Sequence, residues 1–355
     1  GSWQSEVSWE ILNDAGTVVV SGGAPYADAA SLDDGTYTVN GADAYGDGWN
    51  GNYLIVTDAT SGTEYLNWTV EGSSGTTTFA DMYYFEDDVA CVVSETGLRG
   101  VLGETILDNP TPDSATPDDA LAYTEAFLQK WANHPRITPG IAPHAPYTVG
   151  PETLRKVAKL ARQYNAPLLI HLAETSDEVQ TIRSQYGDTP VGYLESVGVL
   201  GADLLAAHAV WVNASDIAIL AKHGVGLVHN PESNMKLTSG AMPITQLRQA
   251  GIAIGLGTDG PASNNDLDMF GAMLTGALLH KFVDNDPTAM PAVEVVSLAT
   301  IEGARALRMD DAIGSLEVGK RADIIIVDGS SPNLVPRYDL YSHLTYAARG
   351  HDVKT

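Results

Sequence analysis

The chain has 355 residues, 44% of them hydrophobic, which suffices for two domains and a sizeable core. Its formal net charge of −26, from 45 acidic and 19 basic residues, repels phosphate and argues against nucleic acid and anionic membranes as partners; it suits solubility in salty surroundings. A single cysteine, Cys91, excludes an internal disulfide, cysteine-rich zinc sites and the paired-cysteine signature of nucleic-acid-editing enzymes.

The opening Gly1-Ser2-Trp3-Gln4 shows neither the basic nor the apolar region of a secretory signal, and no apolar run reaches the ~18 residues of a membrane helix. No Lys, Arg or His precedes Arg99. Residues 1–74 are rich in Gly, Thr, Asp, Asn and Trp. Apolar and polar residues alternate there over 6–12, 17–20, 36–39 and 53–56, separated by turn signals such as Asn13-Asp14-Ala15-Gly16 and Asp33-Asp34-Gly35. This spacing predicts an all-β sandwich module. The stretch Asp43 to Asn52 offers oxygen ligands for calcium but lacks the closing bidentate Glu, and tight turns are the simpler account.

From Thr76 the pattern changes. Strand-like runs at 77–83, 100–103, 137–144, 168–174, 204–210, 225–230 and 252–259 alternate with helical stretches, among them 117–131, 151–164 and 244–250. Such alternation predicts parallel strands joined by right-handed crossovers. Seven of them over 75–308 suit an α/β fold of the (β/α)8 TIM-barrel type lacking its first strand. Residues 309–355, with a strand over 324–328, predict a partial small β domain at the C-terminus.

Polar residues close several of these strands, where barrel enzymes place their chemistry. His171 ends the run Pro167-Leu168-Leu169-Ile170, and Glu174 follows three residues later. His171 suits a metal ligand, against a core histidine bonded to a carbonyl. Glu174 suits proton transfer near that metal, against a surface loop acid. His208, among small apolar residues, needs a partner; it can ligate metal or, preferably, donate a hydrogen bond to an attacking hydroxide and developing charge. Asp259, ending a glycine-rich strand, can bind metal and accept a proton, or simply cap a helix. His144, fixed between Pro143 and Pro146, suits substrate contact or a turn. The stretch from His229 to Leu237 shapes the pocket or caps a loop. His134, His223, His280, His343 and His351 are expected at the surface, and Cys91 buried and inert.

Several stretches together resemble the amidohydrolase superfamily, and within it the 5′-methylthioadenosine/S-adenosylhomocysteine deaminases. They are the segment from Gly75 to Phe85, Ala142-Pro143-His144-Ala145-Pro146-Tyr147, His171-Leu172-Ala173-Glu174-Thr175 and Ala207-His208. The likeness continues through His229 to Leu237, Gly257-Thr258-Asp259-Gly260 with Ser263-Asn264-Asn265, and Gly314-Ser315-Leu316 with Val318-Gly319-Lys320 and Ala322-Asp323. It covers residues ~75–355. It implies hydrolysis of the adenine amino group of a small nucleoside, metal ligation by His171 and Asp259, and catalysis by Glu174, His208 and Asp259. It also implies substrate contact by His144, Glu174 and Asp259. A His rather than a Lys at the family's fourth strand implies one divalent metal, zinc. Residues 1–74 resemble a Gly-Asp-Gly-Trp-Asn-Gly type β module of secreted proteins.

One departure is large. The family's first barrel strand ends in His-x-His, which supplies two metal ligands, whereas no histidine here precedes His134. The reading is therefore a deaminase by descent whose competence depends on an incomplete metal site. Its alternatives are an inactive fusion that binds nucleosides or forms an interface, and a relative acting on guanine or triazines. The barrel resemblance implies a cytoplasmic protein and the first module an exported one; self-association into a homo-oligomer stays open.

Overall fold

The computed structural model describes residues 7–13, 17–23, 37–43, 54–57, 64–68 and 75–354. The chain divides into two compact units, Gly1–Ser74 with Ile326–Asp328 and Gly350–Thr355, and Gly75–Ile325 with Gly329–Arg349.

In the first unit, β1 (Val7–Asn13) is the centre of an antiparallel three-stranded sheet flanked by β2 (Val18–Gly23) and β3 (Tyr37–Asp43). The β1–β2 register shifts between Ile11 and Leu12, a bulge that lets the strand twist. A separate antiparallel pair joins β4 (Leu54–Thr57) and β5 (Glu64–Trp68). The alternating runs of the sequence thus become strands. Beyond Asp43, the stretch weighed for calcium lies outside the described residues.

The second unit alternates strand and helix: β6 (Thr78–Tyr83), α1 (Glu86–Thr96), β7 (Arg99–Ile106), α2 (Pro117–Trp131), β8 (Ile137–Pro143), α3 (Pro151–Tyr164), β9 (Leu168–Leu172), then α4 (Ser176–Tyr186) and α5 (Pro190–Val197). It continues with β10 (Leu204–His208), α6 (Ala214–His223), β11 (Gly226–His229), α7 (Pro231–Lys236), α8 (Ile244–Gln249) and β12 (Ile254–Leu256). Helices α9 (Met269–Val283), α10 (Ala292–Leu298), α11 (Ile301–Ala306) and α12 (Leu340–Tyr346) complete it. The last two strands, β13 (Ile326–Val327) and β14 (Val353–Lys354), pair antiparallel within the first unit. The strand expected over 324–328 is thus only two residues long.

The seven strands β6 to β12 lie in sequence order in one parallel sheet, and among the described residues no pairing joins β6 to β12. This is a TIM-barrel-like α/β fold with its sheet open at that seam. Leu168, Ile170, Leu172, Leu204 and Ala206 are buried, so β9 and β10 read as continuous apolar runs, as strands covered on both faces must. Capping chemistry explains where the helices start. Thr116, Thr175 and Thr189 each accept a backbone N–H of the first turn, and Asn213 with Asp216 forms a complete capping box. Two close approaches require glycine. A Cβ on Gly226 would lie 2.3 Å from the Ala306 carbonyl oxygen, and one on Gly255 3.1 Å from the Gly303 Cα. These glycines let α11 settle directly on β11 and β12. The Ala322-Asp323 motif has a mechanical role as well: the Asp323 carboxylate accepts from the guanidinium of the nearly buried Arg99, at 3.1 Å, where β7 begins.

Two expectations are corrected. Cys91 is exposed: α1 buries Glu86, Ala90 and Val93 at helical spacing, and Cys91 falls outside that stripe. His280 is 1% exposed rather than a surface residue; α9 carries it against His229, the last residue of β11.

Candidate active site

His144, His171, Glu174, His208 and Asp259 all stand at or just beyond the C-terminal ends of strands of this sheet. β9 stops where the backbone turns left-handed at Ala173 (φ 48°), and His208 (φ 74°) does the same as the last residue of β10; Asp259 (φ 66°), three residues beyond β12, is left-handed too. For non-glycine residues each such turn costs roughly 1–3 kcal/mol, and strain of this kind gathers where geometry serves function.

His171 donates from its backbone N–H and from Nδ1 to the His144 carbonyl oxygen, at 3.0 and 2.8 Å. Only an N–H can serve a carbonyl, so the second bond fixes the tautomer and leaves the Nε2 lone pair free. Burial, with His208 nearby, holds its pKa below that of an ordinary histidine. The His144 ring lies 4.9 Å from it. Thr148 gives its hydroxyl proton to the Ala145 carbonyl, so His144 Nδ1 donates to the Thr148 oxygen, at 2.9 Å. Burial and the neighbouring His171 push the His144 pKa down to about 4. Both rings are neutral near pH 7, each with an open Nε2.

The His208 ring stacks on His171 at 5.6 Å and donates from Nδ1 to the Asn234 amide oxygen at 2.8 Å. Its Nε2 stands 3.8 Å from Glu174 Oε2 and 3.9 Å from Asp259 Oδ2. These gaps are too long for hydrogen bonds, and they leave two carboxylates converging on one imidazole nitrogen. Burial pushes the Asp259 carboxyl up, but bonds from the Ser233 hydroxyl (2.5 Å) and the Gly260 amide (2.7 Å), with His208 beside it, hold it below the usual range. Glu174 accepts from the Ser239 hydroxyl at 3.1 Å.

Several supporting residues escape a sequence reading. Glu178 follows Thr175 at capping-box spacing, yet its carboxylate accepts from the amides of Ala173 and Glu174, at 2.8 and 2.9 Å, instead of capping α4. It thereby shapes the turn that presents Glu174, and burial pushes its pKa up to about 7. Asn234, Ser233 and Ser239 orient His208, Asp259 and Glu174 respectively. The first two lie in the polar stretch after β11; Ser239 carries no sequence signal. The same stretch is tied to the loop after β12, where Asn264 donates to Glu232 and the Lys236 ammonium to the Ala262 carbonyl. Behind the site His229 and His280 share an Nε2–Nε2 hydrogen bond of 2.9 Å. Burial pushes both pKa values down, that of His280 to about 4.

Among the described residues no group of three or more His, Cys, Asp or Glu side chains is arranged to hold a metal ion. The individual donors nevertheless suit one. His171 has the tautomer of a histidine ligand, with its second N–H on a carbonyl, and Asp259 is held ionised. No helix among the described residues is long and apolar enough to cross a membrane.

Residues 72–355 match the model of the amidohydrolase family. A protein of Syntrophobacter fumaroxidans named 5-methylthioadenosine/S-adenosylhomocysteine deaminase is 48% identical over 281 residues, 79% of this chain and 64% of that one. One of Syntrophus aciditrophicus with the same enzyme name is 43% identical over 317 residues, 86% of this chain and 71% of that one. Among solved structures, an adenosine deaminase from Xanthomonas campestris with bound zinc superposes with a TM-score of 0.77 at 41% identity, covering 79% of this chain and 64% of that one. The chain thus spans about two thirds of the length of the relatives it matches. With a parallel sheet carrying His171, His208 and Asp259 at its C-terminal end, the chain belongs to the amidohydrolase family.

Proposed function

We propose that the chain is a metal-dependent aminohydrolase of adenosine-type thioether nucleosides, 5′-methylthioadenosine and S-adenosylhomocysteine. The observation that carries this reading is the convergence of the Glu174 and Asp259 carboxylates on His208 Nε2, at 3.8 and 3.9 Å. The names of the relatives support it. In the reaction water adds at C6 of the purine, the C6–N bond breaks and ammonia leaves.

His171 and Asp259 would hold one divalent ion, zinc, whose Lewis acidity makes water a stronger acid. Asp259, ionised and fixed by Ser233 and Gly260, accepts the proton that water loses. Glu174 carries a proton to the ring nitrogen beside C6 and onward to the departing amine. His208, whose Nε2 stands 3.8 and 3.9 Å from the two carboxylates, donates to the oxygen that develops negative charge. His144, neutral with an open Nε2, accepts from the nucleoside.

With no His-x-His before His134, we expect metal binding weaker by several kcal/mol than the roughly 10–16 kcal/mol of complete zinc sites. The same missing pair keeps a second reading open, a nucleoside-binding protein without turnover. Metal analysis together with ammonia release from 5′-methylthioadenosine separates the two. Zinc-dependent ammonia release supports the first reading. Nucleoside binding without release at saturating zinc supports the second.

A further inference from the structure

Trp211 has no part in the reaction just described, yet it is wired into it. It follows the end of β10 and is 49% exposed. Its backbone N–H donates to the Ala173 carbonyl, adjacent to Glu174, at 2.8 Å. Its indole Nε1–H donates to the Ser239 carbonyl, also at 2.8 Å. Ser239 is buried, and its hydroxyl donates in turn to Glu174 Oε1 at 3.1 Å. The Ser239 amide closes the circuit at 2.9 Å on the carbonyl of Asn234, whose side chain orients His208. Gly240, next in the chain, lets the backbone pass close to Val210. With φ at +125°, a Cβ there would stand 2.8 Å from Val210 Cγ1 and 3.7 Å from the indole nitrogen.

We propose that Trp211 and Ser239 form a clasp that positions Glu174, and that the exposed indole face is the wall on which the purine base of the substrate stacks. The proposal rests on the nucleoside reading above and names two positioning residues for it. The indole nitrogen and the Glu174 carboxylate are joined through one residue, Ser239, which keeps the ring next to the group proposed to transfer protons. A tryptophan half in solvent would ordinarily be left free to rotate. This one gives its only polar group to a buried serine, and that fixes the ring plane.

The test uses the full chain with 5′-methylthioadenosine as probe. Affinity is measured by calorimetry, and the Trp211 indole N–H is followed by nuclear magnetic resonance, assigned by its loss in Trp211→Phe. Base–aromatic stacking is worth roughly 1–3 kcal/mol. Trp211→Leu should therefore weaken binding about tenfold, while Trp211→Phe, which keeps a ring, weakens it less than threefold. The indole resonance should shift on adding nucleoside. Ser239→Ala should leave affinity unchanged and lower kcat for ammonia release about tenfold at constant KM, a split that general loss of structure would not give. Wild-type affinity in Trp211→Leu, with an indole signal indifferent to ligand, overturns the stacking wall, and wild-type kcat in Ser239→Ala overturns the clasp; either result leaves the nucleoside reading standing. A wild-type chain that binds no purine nucleoside overturns both.

Discussion

Carboxyl groups at two places in the sheet receive opposite treatment. After β12, Asp259 is offered a serine hydroxyl and a backbone amide, stands near an imidazole, and stays ionised below the usual carboxylate range. At the β6–β7 edge, Glu86 and Glu104 are buried beside the half-buried Asp81, and among the described residues no cation bonds to any of the three. Burial and mutual repulsion push Glu86 well above its ordinary range, and Glu104 up to about 9 through burial and its bond to Asp113. Glu86 Oε2 and Glu104 Oε1 have no hydrogen-bond partner among the described residues. Burial acts on both groups; donors decide which way the proton goes. One edge thus carries a carboxylate ready to accept a proton, the other carboxyls that keep theirs.

The largest effect tests the ionised side. Asp259→Asn keeps the shape but removes the charge from a proposed metal ligand and proton acceptor. We expect ammonia release to fall by about a thousandfold or more, and zinc retained on dialysis to drop with it. Glu174→Gln should cost roughly 100- to 10,000-fold in kcat with zinc content unchanged, since it removes proton transfer alone. Retained zinc with retained turnover in either variant breaks the assignment of these groups. Asn234→Ala comes next. It frees His208 Nδ1 from its acceptor, and loss of such an orienting partner typically costs roughly 10- to 100-fold in activity. Nucleoside affinity should change little, which calorimetry checks.

The sheet was legible in the sequence because its strands are long apolar runs punctuated by Gly and Pro, and α2 and α3 were legible to the residue because Thr116-Pro117 and Gly150-Pro151 mark their starts. The strand ends were not. Nothing in Leu172-Ala173-Glu174 announces a left-handed alanine; that turn is imposed by Glu178, which gathers two amides from across it. The residues proposed for chemistry stand out because a polar side chain closing an apolar strand needs a reason. Their supports do not, because Ser239 and Trp211 lie beside Glu174 only through contacts made by the finished fold. His280 misled for the same reason: it is buried against His229, a residue 51 positions away in sequence, a tertiary fact no local pattern carries.

The smallest expected effect tests the proton-keeping side. Glu104 has its folded pKa raised from 4.5 to about 9, so between those values the folded state binds more protons than the unfolded one. Its contribution to stability is therefore complete below about pH 4.5 and is lost as pH rises through about 9. Glu104→Gln stays neutral at every pH and keeps an oxygen for the Glu86 amide, which donates at 3.0 Å. Melting temperatures measured from pH 5 to 9.5 should fall more steeply in the wild type than in the variant. At ~2–4 °C per kcal/mol for a domain of this size, the gap between the curves should open by at least a few degrees, steadily across the interval between the two pKa values rather than at one end of it. Parallel curves would mean that Glu104 is ionised throughout and that some donor reaches its free oxygen. The two edges would then handle their carboxyl groups alike, and the contrast between them would disappear.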